Sequence, residues 1–169
     1  MGMGMYFVAI SKEQLEQIHE DSDVYEEITD DAEDDACGLD YEFDAVNFLI
    51  NNWFDENDYG EEFDNTVSLD YLDAAHFLDE VDAFYLEVID VKRIAEKLKR
   101  FSVEEFRRRF NSTEFKSKLE IKGTEEEIYH GKEFGNESYF ETLLGSFETL
   151  SDYFINAAQK EQVMLFYYV

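Results

Sequence analysis

The side chains here that could carry out chemistry are three histidines, one cysteine and a dense set of carboxylates. His19, His76 and His130 stand far apart, and none falls in an HxxxH or HExxH pattern, which would put two imidazoles on one helical face for a metal. His76 is the best placed for acid–base work. On a helix, Asp73 at −3 and Glu80 at +4 would share its face, and an imidazole between carboxylates can act as a base or a ligand. A hydrogen-bonded, partly buried histidine is the commoner outcome of that pattern. Cys37 follows a run of acids, which raise a thiol's pKa and make it a poor nucleophile.

Asp55–Thr66, DENDYGEEFDNT, has the outline of a calcium loop, with Asp, Asn and Gly at positions 1, 3 and 6. Calcium also needs oxygen ligands at positions 5 and 9 and a bidentate Glu at 12. Those places hold Tyr59, Phe63 and Thr66, so the cage does not close, and an acidic turn around Gly60 remains. No glycine-rich phosphate loop, nucleophile elbow or deaminase signature is present. No catalytic residue, cofactor or metal site is therefore assigned from the residues.

Charge is the feature that stands out. The net of −28 comes from 42 acids against 14 bases. Residues 1–90 hold 28 of the acids and one base, Lys12, so their sum is −27 and that of residues 91–169 is −1. A field of that sign repels nucleic-acid phosphates and anionic lipid and favours a cationic protein partner. Acidity also serves solubility alone, and the basic segment 92–109 can pack beside the acidic half and neutralise it. The carboxylates proposed to meet a basic partner are Asp30, Asp31, Glu33, Asp34, Asp35, Asp55, Glu56 and Asp58. The first functional reading is a non-enzymatic, inhibitor- or immunity-like interaction module, of unknown oligomeric state. The alternative is an enzyme using His76 and nearby carboxylates.

The elements that position these groups follow from periodicity. Leu39–Phe54 is the central buried helix, with Val46, Leu49, Ile50, Trp53 and Phe54 on one face, Asp40 as its N-cap and Cys37-Gly38 as a break before it. Met5–Ile10, Ala83–Leu86 and Gln162–Val169 read as strands, with both terminal strands in one sheet. Helices are expected after Ser11, around 22–29, from Ser68 or Asp70 through His76 to Asp79, after Asp90, after Ser102 and over 139–159. Ser11/Gln14, Ser102/Glu105 and Ser138/Glu141 have capping-box spacing, and Arg107–Arg109 complement a helix C-terminus. The expected fold is α+β: a helix-rich single domain over residues 1–169 with a small sheet of about three strands. With no basic leader and no apolar run of membrane length, a soluble cytoplasmic protein is expected.

Several stretches in this order resemble the YfbM-like family of uncharacterised bacterial proteins. They are the Met1-Gly2-Met3 start before Tyr6, Leu39-Asp40, Asp44 through Ile50, Tyr85-Leu86 and Val91 through Leu98. Ser102-Val103-Glu104-Glu105, Arg107, Phe110, Ile128-Tyr129 and Ala157-Ala158 complete the pattern. The chain departs from it in having Phe43 for a Trp, Asn47 for a His and Tyr129-His130 for a Tyr-Pro pair. The resemblance implies a soluble, mixed α/β bacterial domain and carries no biochemical activity with it.

Overall fold

Two apolar terminal strands pair along their full length and form the axis of the molecule. The computed structural model describes residues 4–32, 35–39, 42–51, 74–116 and 137–168. β1 (Met5–Ile10) and β5 (Val163–Tyr168) run antiparallel, with Phe7 opposite Phe166 and Ile10 opposite Val163. β2 (Cys37–Leu39) adds outside β1, and β4 (Ala83–Leu86) and β3 (His76–Leu78) add outside β5. The result is an antiparallel sheet in the order β2-β1-β5-β4-β3. It has five strands where about three are expected. The two extra strands are three residues long, too short to show a period of two, and one contains Gly38. Gly38 reads as a break but is a strand residue at a close approach: a Cβ there would lie 2.9 Å from Tyr6 Cζ.

Helices cover both faces. On one lie α1 (Lys12–Glu20) and α2 (Val24–Asp31), whose Leu15, Ile18 and Ile28 pack on Val8, Ile10, Leu78, Val163 and Leu165. On the other lie α3 (Glu42–Asn51), α4 (Val88–Arg100), α5 (Val103–Phe110) and α6 (Glu137–Gln159), over Met5, Phe7, Leu86, Met164 and Phe166. Alternation of side chains along each strand separates these two cores. A row of phenylalanines crosses four strands on the larger face: Phe7–Phe166 at 5.8 Å, Phe166–Phe84 at 5.4 Å and Phe84–Phe77 at 4.9 Å. Offset rings at such spacings add to area burial.

Helix starts follow side-chain chemistry where a hydroxyl is available. Ser11 and Gln14 form the full capping box on α1. Ser102 caps α5 by accepting from the Glu105 N–H, but the Glu105 carboxylate turns to Arg108 and Arg109 instead of closing the box. The N-cap position of α4 is held by Glu87, whose side chain makes no capping bond, and not by Asp90, which sits in the first turn against Arg93 at 3.3 Å. Ser138 lies inside α6, which is described from Glu137 onward. α3 keeps Val46, Phe48, Leu49 and Ile50 buried, while Leu39 belongs to β2. Asp40, Trp53 and Phe54 lie outside the described residues. The helix expected through His76 is absent from residues 76–78, which are β3.

Candidate functional site

The two helical layers differ sharply in charge. On α1, α2 and the turns beside them, Glu13, Glu16, Glu20, Asp21, Asp23, Glu26, Glu27, Asp30, Asp31 and Asp35 are all exposed. Among the described residues no ion pair reaches any of them; the pairs formed lie between residues 90 and 161. Lys92 pairs with Glu161, Lys99 with Glu96 and Arg107 with Glu137, which spends much of the basic charge within the opposite layer. Of the carboxylates proposed for a partner, Asp30 and Asp31 end α2 and Asp35 follows it, all exposed. Glu33, Asp34, Asp55, Glu56 and Asp58 lie outside the described residues, as do the calcium-like loop, Asp73 and His130.

Under and beside the acidic helices runs a set of tyrosines. Tyr6 and Tyr167 face each other across β1 and β5 and stack at 5.9 Å. Tyr25 of α2 has its phenol pushed up to about 12, first by burial and then by Tyr167. Tyr85 on β4 meets two imidazoles: His76, its register partner on β3, stacks at 4.9 Å, and His19 of α1 meets it edge-on at 5.7 Å. The Tyr85 phenol is also raised, by burial and then by the Glu87 charge. His76 is therefore an exposed strand residue beside a tyrosine, not a helical residue between Asp73 and Glu80. Glu80 lies past the end of β3, in the turn Asp79–Val81, so the helical spacing that would have set it beside His76 does not apply.

Cys37 is buried on β2, and burial, not its acidic neighbours, pushes its thiol up to about 11. Nearby, the Tyr153 hydroxyl accepts the Ala9 N–H at 2.8 Å, satisfying a β1 donor beyond the reach of β2. No group of three or more His, Cys, Asp or Glu that could hold a metal occurs among the described residues.

The arginine triplet holds the larger layer together. Arg107 makes two bonds to Glu137, at 2.9 and 2.7 Å, and lies 3.8 Å over the Phe140 ring. Arg108 makes two bonds of 2.7 Å to Glu105. Arg109 is only 2% exposed; it donates to Glu105 and, through Nη1, to the carbonyls of Leu49 and Ile50 at 3.0 and 3.1 Å. Those carbonyls belong to the last described turn of α3. Arg109 thus ties α5 to α3. Its spacing from Phe106 and Phe110, on the same apolar stripe, is the sequence signal for its burial.

The Arg108 hydrogen bond, with help from Arg109 and against partial burial, pulls Glu105 down to about 2. A folded pKa below the unfolded one gives stability that is complete above about pH 4.5 and lost as pH falls toward about 2. The gap in urea midpoint between the unmodified chain and Glu105→Gln should therefore be wide at neutral pH and close across that window. A gap independent of pH would exclude this linkage.

With the sheet order, both helical layers and the charge distribution in place, the relatives can be compared. A family model described as a domain of unknown function, DUF1877, matches residues 1–167. The chain belongs to this family. No curated protein matches the chain. The crystal structure of YfbM from Escherichia coli, a protein of unknown function, is similar over 100% of both chains, with a TM-score of 0.63 and 18% identity. That likeness speaks for the helix-rich α+β fold. In this DUF1877 chain Asn47, standing where the resemblance places a His, is 1% exposed within α3. No described helix is long and apolar enough to cross a membrane.

Proposed function

We propose that this DUF1877 protein is a non-catalytic interaction module whose α1–α2 layer engages a basic protein, in the manner of an inhibitor or immunity protein. The observation that carries this reading is the segregation of charge. The exposed carboxylates of α1 and α2 enter no described ion pair, while many bases are consumed in the opposite layer. A field of one sign on one face speeds encounter with a cationic target, and half-buried tyrosines beneath it supply the ring surface that interfaces favour. The tagged full chain, used to capture partners at low salt and again at about 0.5 M salt, tests the reading, since exposed charges are screened at such ionic strength. Basic proteins held at low salt and released at high salt are expected. A set of captured proteins that is not basic, or that salt leaves unchanged, overturns it.

A further inference from the structure

We draw no further inference here: the strongest candidate, the partly exposed aromatic corner of Phe77, Phe84 and Tyr168 at the β3 end of the sheet, is an apolar face for which nothing in the structure shows what covers it.

Discussion

Replacing Arg109 by methionine is expected to lower the unfolding free energy by about 3–5 kcal/mol, seen as a fall in urea midpoint at unchanged slope. Methionine nearly fills the volume, so the loss reports hydrogen bonding more than a cavity. Two acceptors, the carbonyls of Leu49 and Ile50, would be left buried without this donor, at about 1–3 kcal/mol each. Glu105 would lose one of its two arginines, and the Phe101 ring its cation at 5.0 Å. A buried ion pair can often be exchanged for apolar groups at little cost, because both partners leave together. Here the exchange cannot be made, since the α3 carbonyls are backbone and stay whatever side chain faces them. Arg109→Lys should recover about half of the loss, as an ammonium reaches one carbonyl but lacks the fork that serves Glu105 too. A loss below about 1 kcal/mol for Arg109→Met would show that α3 does not depend on this contact with α5.

Long periodic elements were legible in the residues, and short or tertiary ones were not. Met5–Ile10, Ala83–Leu86 and the stripe Val91, Ile94, Ala95, Leu98 and Phe101 are where alternation or helical spacing puts them, and all of that stripe is buried. β2 and β3 were hidden because three residues carry no period; their strand character comes from β1 and β4 beside them. His76 illustrates the consequence: an assumed helix gave it two acidic neighbours, whereas pairing with β4 gives it Tyr85. The His19–Tyr85–His76 grouping joins three elements distant in sequence, so no local spacing could reveal it. The charge imbalance was visible in the composition. The gathering of its described part on α1 and α2 depends on those helices folding onto the smaller core, which only tertiary structure determines.

Asp30→Lys combined with Asp31→Lys is expected to stabilise the fold while weakening its binding to a nona-arginine peptide. These carboxylates occupy the last turn of α2, where the helix dipole is negative and no base offsets them. Reversing them turns two unfavourable interactions into favourable ones and reduces self-repulsion in a chain of net charge −28. A rise of about 2–4 °C in melting temperature at low salt should follow. Affinity for nona-arginine should fall by about tenfold or more, because the reversal changes the charge of the docking layer by four. A control applies the same change to the other layer, with Glu104→Lys on α5 and Glu148→Lys on α6, both exposed. If the acidity serves solubility alone, the two pairs must weaken binding equally, since only net charge counts. If α1 and α2 form a docking surface, the α2 pair must weaken it several-fold more. Such a result would make Asp30 and Asp31 residues that destabilise the helix bearing them and support the contact it makes.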